Sequence, residues 1–419
     1  MEDVQNSTLK TNFYLQKYGF INQQIVDFVS SDIGIIIVIP CFNEDDLIST
    51  LSSIANCDRP SCGVEVIVVF NSGESTPQHV VNQNKVAQDQ MKEWKDSYSG
   101  AYKFYKINVP NLPKKHAGVG LARKIGMDEA VARFHSINKD GVIVCFDADA
   151  RCSSNYLTEI EQHFKLFPES PGCSIHFEHP LFGSEFPQEV YDGIINYELH
   201  LRYYNQCLKY ANLPYAYHTV GSSMAVKSKA YQKQGGMNKR KAGEDFYFIH
   251  KIIALGDFSE IKTTKVIPSP RISDRVPFGT GKAIGDWVTN GSDVYFSYNF
   301  SIFEEIKAFV NLIPLFYSND IVSIELSNVF IDFLQSVHFK EKLQEIKKNT
   351  TDIDSFRKRF FVWFDAFQVL KLVHFMRDNG YPNKELIICS HEFLRANKES
   401  NAYHSVLELL QYFRLLEKS

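Results

Sequence analysis

The chain has 419 residues, of which 14 % are aromatic, and its 45 Lys and Arg against 49 Asp and Glu give a net charge of −4. This balance excludes a broadly basic surface for nucleic acid, so we expect no nucleic-acid partner. A hydrophobic content of 44 % with 22 % charged residues is typical of a globular chain that is long enough for one large domain or two ordinary ones.

The sequence gives little indication of a membrane-spanning helix, a secretory signal or disulfide bonds. No stretch reaches the ~18 uninterrupted apolar residues of a membrane-spanning helix, and the first residues lack the basic and apolar segments of a secretory signal. The eight cysteines form no C-x-x-C pair, and several lie in apparent strands, which favours reduced, buried thiols. We therefore expect a cytoplasmic protein, and peripheral contact with the inner face of a membrane stays open.

Strand and helix patterns alternate along the first part of the chain. Apolar residues at helical intervals from Leu15 to Val29 predict a leading amphipathic helix, and the β-branched run Ile33–Ile39 predicts a strand buried on both faces. Further strands are predicted at 64–70, 102–109, 141–146, 173–177 and 222–226, and helices at 47–55, 78–95, 122–134 and 245–255. This alternation predicts an α/β fold with a Rossmann-like, mostly parallel sheet.

The character of the sequence changes after about residue 291. Strand-like runs vanish and Phe recurs at helical spacing, with 17 of the 33 Phe before this point and 16 in the 129 residues after it. We predict a helical lead-in over 1–32, an α/β domain over 33–290 and an all-helical carboxy-terminal domain over 291–419.

The clearest chemical motif is Asp147-Ala148-Asp149, directly after a predicted strand. A parallel strand delivers its carboxyl end to the ligand crevice of the sheet. Two carboxylates at that place suit a hard divalent cation, Mg²⁺ or Mn²⁺, that bridges the phosphates of a nucleotide. An ordinary acidic turn would give the same pattern without a metal.

Polar loops follow the other predicted strands as well. Pro40-Cys-Phe-Asn43-Glu44 follows the first strand, and Asn71-Ser72-Gly73 follows the second. The stretch Gly118–Gly126 enters a helix, and a helix start that carries Arg123 favours anions. This stretch lacks the third glycine of a dinucleotide fingerprint and the G-K-[ST] of a Walker loop. Gly243-Glu244-Asp245 precedes another helix, where an acidic pair is also a common cap.

In their order these motifs resemble those of a family 2 glycosyltransferase. The match comprises I-P-C-F-N-E, N-S-G, G-x-G-x-A-R-x-x-G, D-A-D, G-S-S-M-A-V, G-G and G-E-D, over about residues 33 to 256. Each block is weak alone, whereas the ordered set is strong. The resemblance implies a glycosyltransferase A-type fold, a nucleotide-diphosphate sugar donor and inversion at the anomeric carbon, so the α/β domain would be catalytic.

The resemblance also implies roles for single residues. Donor-binding residues would be Pro40, Asn43, Glu44, Asn71, Lys115, Gly118, Arg123 and Asp147. Asp149, with Asp147, would hold the metal, Asp245 would be the catalytic base and Glu244 would orient the acceptor. Many relatives carry an Asp-rich turn where this chain has Asn71-Ser72-Gly73, so uracil and guanine both stay open as the base.

A cationic segment over residues 270–282 completes the expected donor site. Arg275 and Lys282 stand among glycines, so we expect a mobile loop that closes over the diphosphate. It is loosely similar to the R-x-x-G-x-S-K loop of dolichol-phosphate-mannose-synthase relatives, with a spacing one residue longer. An ordinary surface crossover is the alternative.

The sequence leaves rival functions and several partners open. A sugar-nucleotide pyrophosphorylase would also use an α/β sheet and carboxylate-bound magnesium, but it would carry G-T-R near the first strand, where this chain has Pro40-Cys-Phe-Asn-Glu44. A non-catalytic protein that binds sugar nucleotides is the third interpretation. The acceptor could be a glycan, a lipid-linked sugar or a small molecule. The helical region could bind the acceptor, dock on a membrane or form a homodimer.

Overall fold

The computed structural model describes residues 11–291, 293–318, 325–399 and 401–419. Its strands are β1 (Ile33–Cys41), β2 (Gly63–Gly73), β3 (Lys103–Leu112), β4 (Val142–Cys145), β5 (Arg151–Cys152), β6 (Gly172–Phe177), β7 (Met224–Lys227), β8 (Ser259–Ile267), β9 (Phe296–Ser297) and β10 (Lys384–Glu385). Its helices are α1 (Phe13–Tyr18), α2 (Leu47–Ala55), α3 (Gln78–Ser97), α4 (Val119–Ser136), α5 (Tyr156–Leu166), α6 (Gln188–Tyr210), α7 (Ser228–Lys233), α8 (Glu244–Ile253), α9 (Thr280–Asn290), α10 (Phe300–Asn311), α11 (Ile313–Ser318), α12 (Asn328–Ser336), α13 (Phe339–Lys348), α14 (Ile353–Trp363), α15 (Ala366–Asp378), α16 (Leu386–Ala396) and α17 (Val406–Lys418).

Within the described residues, β1 to β8 form one sheet in the order β3-β2-β1-β4-β7-β6-β8-β5. The pairs β3–β2, β2–β1, β1–β4 and β6–β8 are parallel, and the pairs that involve β7 or β5 are antiparallel. Strands β1 and β2 are buried along nearly their whole length, as expected for β-branched runs covered on both faces. The predicted fold class, a mostly parallel α/β sheet followed by a helical region, is confirmed and is consistent with the glycosyltransferase A type. The carboxy-terminal region is not all-helical as predicted, because β9 and β10 pair antiparallel within it.

Two local predictions were wrong. The leading helix ends at Tyr18 rather than near Val29, because Gly19 closes it and the following backbone bonds elsewhere: Glu129 accepts the N–H groups of Gln24 and Ile25. Strand β8 was missed, because six of its nine residues are polar and its burial is correspondingly uneven.

The described chain divides into two compact units. Of the described residues, the first unit comprises 11–180, 219–269 and 275–278, and the second comprises 181–218, 270–274, 279–291, 293–318, 325–399 and 401–419. Residues 181–218 and 279–290 thus group with the helical part of the chain, and the domain limits predicted above remain a prediction. No helix among the described residues is long and apolar enough to cross a membrane.

The core of the second unit is built from phenylalanine. The ring of Phe309 lies 5.2 to 5.8 Å from five other Phe rings of helices α11 to α14 and the residue after α14: Phe316, Phe330, Phe339, Phe360 and Phe364. All six are buried. The Phe stripe of α14 is therefore core, and its neighbours Arg357, Lys358 and Arg359 are exposed.

Candidate active site

Three of the predicted site loops leave the first unit's sheet at the same edge. Strands β1, β2 and β4 run parallel as neighbours, so their carboxyl ends meet. The N–H of Phe146 donates to the carbonyl oxygen of Val38 (3.0 Å), which continues the β1–β4 pairing as far as the D-A-D turn. Pro40 lies inside β1, where it pairs with Val69. Asn71, predicted to follow the second strand, instead lies near the carboxyl end of β2. The loops around Asn43 and Asp147 thus start beside it.

The D-A-D turn presents its two carboxylates outward. The side chains of Asp147 and Asp149 are 37 % and 27 % exposed, whereas Phe146 and Ala148 beside them are buried. Thr50 of α2 holds the turn in place. This residue is buried, and its hydroxyl donates to the carbonyl oxygen of Ala148 (2.8 Å). Two carboxylates are therefore held at the edge of the sheet.

Arg123, one turn into α4, joins two of the predicted motifs. Its guanidinium is 3 % exposed and forms ion pairs with Asp147 of the D-A-D turn and with Glu244 of the G-E-D block. Burial alone would lower the pKa of Arg123, but these two carboxylates raise it, so the group stays charged. A Cβ on Gly221 would lie 2.6 Å from the guanidinium nitrogens, so that position requires glycine.

The G-E-D block starts helix α8. Gly243, the N-cap, adopts the left-handed region with φ 68°, where glycine is favoured. Glu244 is 3 % exposed, and burial raises its pKa to about 7 against the opposing effect of Arg123. Asp245 is partly exposed and accepts the N–H of Phe246 (2.7 Å). Burial raises the pKa of Asp245 as well, although Arg123 acts in the opposite direction.

Asn84 of α3 holds the loop after β1 and the carboxyl end of β2 together. Its amide oxygen accepts the N–H of Asn43 (2.8 Å), and its amide nitrogen donates to the carbonyl oxygen of Asn71 (2.9 Å). Asn43 takes a left-handed conformation with φ 53°, which Asn tolerates better than most residues. The Oδ1 atom of Asn71 is buried and has no hydrogen-bond partner among the described residues, so it is an acceptor that a ligand N–H could satisfy.

Arg275 lies over the loop after β1. Its guanidinium donates to the carbonyl oxygen of Phe42 (2.8 Å), approaches Glu44 (3.2 Å) and stands 3.9 Å from Asp149. Glu44 is 3 % exposed in its side chain and Arg275 is 31 % exposed. Arg275 therefore puts a partly exposed positive charge beside the metal-ligand candidate.

The remaining candidates are more scattered. Lys115 is exposed in the turn before α4, and Gly118 is the N-cap of that helix. A Cβ on Gly118 would lie 2.8 Å from the Cα of Lys241. Gly118 therefore allows another segment of the chain's own backbone to approach the helix start closely. Lys282 belongs to the second unit, where it lies on α9 and pairs with Asp286.

The residues of the D-A-D turn fit a divalent cation of the Mg²⁺ kind. Such an ion is usually held by one or two carboxylates together with substrate phosphate oxygens. Asp147 and Asp149 supply two partly exposed carboxylates at the carboxyl end of a strand. No three His, Cys, Asp or Glu side chains gather into a metal site among the described residues, so phosphate and water oxygens would have to complete the coordination.

Sequence reasoning missed the two residues that support these loops. Asn84 lies in a polar, Gln-rich helix, and Thr50 lies in a short amphipathic one. A buried polar residue within an otherwise apolar helical stripe is the only local signal for such a role, and it does not name a partner. Both residues act over a distance in sequence, with Thr50 bonded to a carbonyl 98 positions away.

Comparison with known proteins gives a distant structural likeness. No family model matches the chain, and no curated protein matches it. Among solved structures, the chain is similar to residues 1–349 of S. aureus TarS, with 15 % identity, a TM-score of 0.39, and coverage of 80 % of this chain and 93 % of that one. The complex of that fragment with UDP-GlcNAc gives 14 % identity and a TM-score of 0.40, with the same coverage. Longer TarS gives 12 %, 0.38, and coverage of 82 % and 55 %. A likeness of this degree carries no argument about function.

Proposed function

We propose that the chain is an inverting glycosyltransferase that moves a sugar from a nucleotide-diphosphate sugar to an acceptor hydroxyl with the help of a divalent cation. The observation that carries the proposal is the ion-paired chain Asp147–Arg123–Glu244. It ties the turn that would face the donor to the helix start that would carry the base. Asp147 of the D-A-D turn and Glu244 of the G-E-D block are 97 positions apart in the sequence, and this chain of ion pairs places them in one proposed site.

The donor side consists of the loops at the carboxyl edge of the sheet. The buried Oδ1 of Asn71 suits an N–H of the nucleoside base, and Pro40, Asn43 and Glu44 would contact the nucleoside as the resemblance implies. Asp147 would face the ribose or the sugar. A cation held by Asp149, with Asp147, would neutralise negative charge on the departing diphosphate. Arg275 adds a fixed positive charge on the same side, and Lys115, Gly118 and Lys282 stay donor-binding candidates from the resemblance.

Asp245 is the proposed general base. An acceptor hydroxyl is a poor nucleophile until its proton is removed, and a positioned carboxylate speeds such a step by ~10²–10⁴. The acceptor oxygen forms a bond to the anomeric carbon while its proton passes to Asp245. The bond from the anomeric carbon to the diphosphate oxygen breaks, and the nucleoside diphosphate leaves with the electron pair. Glu244, buried against Arg123, is a positioning residue for this arrangement.

A panel of nucleotide sugars with Mg²⁺ or Mn²⁺ tests the donor site. Calorimetry measures binding, and release of nucleoside diphosphate measures slow hydrolysis. We expect Asp149→Ala to abolish the metal-dependent part of donor binding, because it removes the main carboxylate ligand. Asp89→Ala, at an exposed position of α3, is the matched control and should bind as the unaltered protein does.

The base assignment is tested separately. Asp245→Asn keeps the shape of the side chain and should bind donor normally while transfer falls by ~10²–10⁴. The donor site would be contradicted if the protein bound none of the nucleotide sugars. It would also be contradicted if metal-dependent binding survived in Asp149→Ala. Full transfer by Asp245→Asn would contradict the base.

A further inference from the structure

Five cationic side chains crowd the amino-terminal end of α4, and the mechanism above uses only one of them. These are Lys114 and Lys115 in the turn before the helix, and Lys239, Arg240 and Lys241 in the segment before α8; all five are exposed. We call them the cationic cluster. They lie in the first unit, as do Asp147 and Asp245.

Glycines bring the two segments of the cluster together. A Cβ on Gly118 would lie 2.8 Å from the Cα of Lys241, and a Cβ on Gly120 would lie 2.3 Å from the carbonyl oxygen of Arg240. On the other side, the N–H groups of His116 and Ala117 both donate to the carbonyl oxygen of Pro113, so the chain turns at Lys114 and Lys115 directly before Gly118. The two halves of the cluster therefore flank the same helix start.

The segment 238–241 is anchored to the helix that carries the proposed base. The Asn238 side chain donates to the carbonyl oxygen of Glu244 (2.9 Å) and accepts the N–H of Arg240 (3.1 Å). The guanidinium carbon of Arg240 lies 3.8 Å from the ring centroid of Tyr247. These contacts fix the segment on the first two turns of α8, four to seven residues before Asp245 along the chain. An occupant of the cluster would therefore lie on the base side of the site.

The charges of the cluster are not compensated by protein carboxylates. Among the described residues, none of the five forms an ion pair with Asp or Glu, whereas the chain as a whole has a net charge of −4. Exposed charges of one sign attract anions from solution. Lys239 also contacts an aromatic ring, with its Nζ 5.4 Å from the ring centroid of Phe20. The helix start between them adds partial positive charge. This combination fits a ligand with several negative charges.

We infer that the acceptor is an anionic glycan, a sugar chain that bears phosphate or carboxylate groups, and that the cationic cluster holds it beside Asp245. The inference rests on the proposed function, since it names the substrate that the base would deprotonate. A single diphosphate does not account for five exposed cations. A chain of spaced anionic groups engages both halves of the cluster and presents a free hydroxyl to Asp245.

Three soluble probes test the inference on the full chain: linear polyphosphate, oligogalacturonate and neutral dextran. We expect the two polyanions to bind, to bind less tightly as salt rises from about 50 to about 300 mM, and dextran not to bind. The variant Lys239→Glu/Lys241→Glu should weaken polyanion binding about tenfold or more. Its affinity for the nucleotide sugar should be unchanged, because the donor loops lie at the strand ends.

Controls and contrary outcomes separate this inference from the proposed function. Lys85→Glu/Lys92→Glu reverses the same charge at exposed positions of α3 and should bind polyanions as the unaltered protein does. Equal polyanion affinity in the Lys239→Glu/Lys241→Glu variant overturns the inference, and so does an equal loss of donor affinity, which would assign the cluster to the donor. Binding to anionic phosphatidylglycerol vesicles but to neither polyanion also overturns it. If the unaltered protein binds none of the nucleotide sugars, the proposed function is refuted instead.

Discussion

At the scale of single residues, burial and Arg123 act in opposite directions on the protonation of the proposed catalytic centre. Burial raises the pKa of both Glu244 and Asp245, while the neighbouring Arg123 lowers both. The net result for Glu244 is a pKa of about 7. The folded protein therefore binds a proton at Glu244 more readily than the unfolded chain does, and the stability from this proton is lost as pH rises through about 7.

Transfer should depend on pH through Asp245, because only the ionised carboxylate accepts a proton. Its raised pKa places the acid limb of the profile above the ordinary range of an aspartate. Arg123 lowers this pKa against the effect of burial, so Arg123→Gln removes a positive charge that favours the ionised form. We therefore expect the acid limb of kcat/KM for transfer to move to higher pH.

A kcat/KM profile between about pH 4 and 9 measures this shift. Arg59→Gln, at an exposed position before β2, removes the same charge away from α8 and should leave the profile unchanged. An acid limb that stays in place, or moves to lower pH, in Arg123→Gln would show that Arg123 does not tune the base.

At the scale of elements, the position of Arg123 depends on how closely α4 packs on the sheet. Gly126 lies one turn after Arg123, and a Cβ there would lie 2.4 Å from Cγ1 of Val38 in β1 and 2.9 Å from Cγ2 of Val69 in β2. The absent side chain lets the helix backbone approach the two strands. The third glycine of the motif is therefore a packing residue rather than a ligand contact.

We expect Gly126→Ala to destabilise the protein although alanine favours helix. The gain in helix propensity is about 1 kcal/mol, whereas overpacking against two buried, β-branched side chains costs about 1–3 kcal/mol. Val38→Ala removes the nearest methyl group, so the double variant Val38→Ala/Gly126→Ala should lose less free energy of unfolding than the sum of the two single variants. Urea denaturation of all four proteins measures this coupling, and additive losses would contradict the packing role.

The elements differ in how well their own sequence predicts them. Strands β1 and β2 are long β-branched runs buried on both faces, so the sequence predicts them within a few residues. Strand β8 is half-polar, and its assignment depends on pairing with β6 and β5, which the local pattern does not contain. The same limit applies to the site. The D-A-D turn follows from its strand, whereas the pairing of Arg123 with Glu244 spans 121 positions and exists only in the folded chain.

At the scale of the whole chain, the second unit is assembled from separate stretches of sequence. Helix α6 and the last helix, α17, are joined by a buried ion network: Arg202 bonds to Glu198 (2.8 Å) and pairs with Glu417, and Arg414 donates twice to Glu198 (2.7 Å each). His218 also contacts Glu417 (2.8 Å). Residues 215 positions apart are thus linked at the centre of this unit.

The network predicts how stability depends on pH. Burial alone would raise the pKa of Glu417, but His218 and Arg202 outweigh it and hold the pKa at about 2. A carboxyl whose pKa is lowered on folding contributes stability above its unfolded pKa of ~4.3, and this contribution is lost as pH falls toward 2. Glu417→Gln leaves Arg202 buried with one ionic partner fewer, so we expect a loss of about 3–5 kcal/mol at pH 7.

Denaturant unfolding of Glu417→Gln and of the unaltered protein at several pH values separates this effect from a general loss of packing. The difference in unfolding free energy should be constant above about pH 5 and should shrink between about pH 4 and 2, because Glu417 of the unaltered protein is protonated in the unfolded chain over this range and in the folded protein only as the pH reaches about 2. Glu341→Gln, at an exposed position of α13, should change stability by less than about 0.5 kcal/mol throughout. A difference that is independent of pH down to 2 would mean that Glu417 stabilises α17 by its shape rather than by its charge.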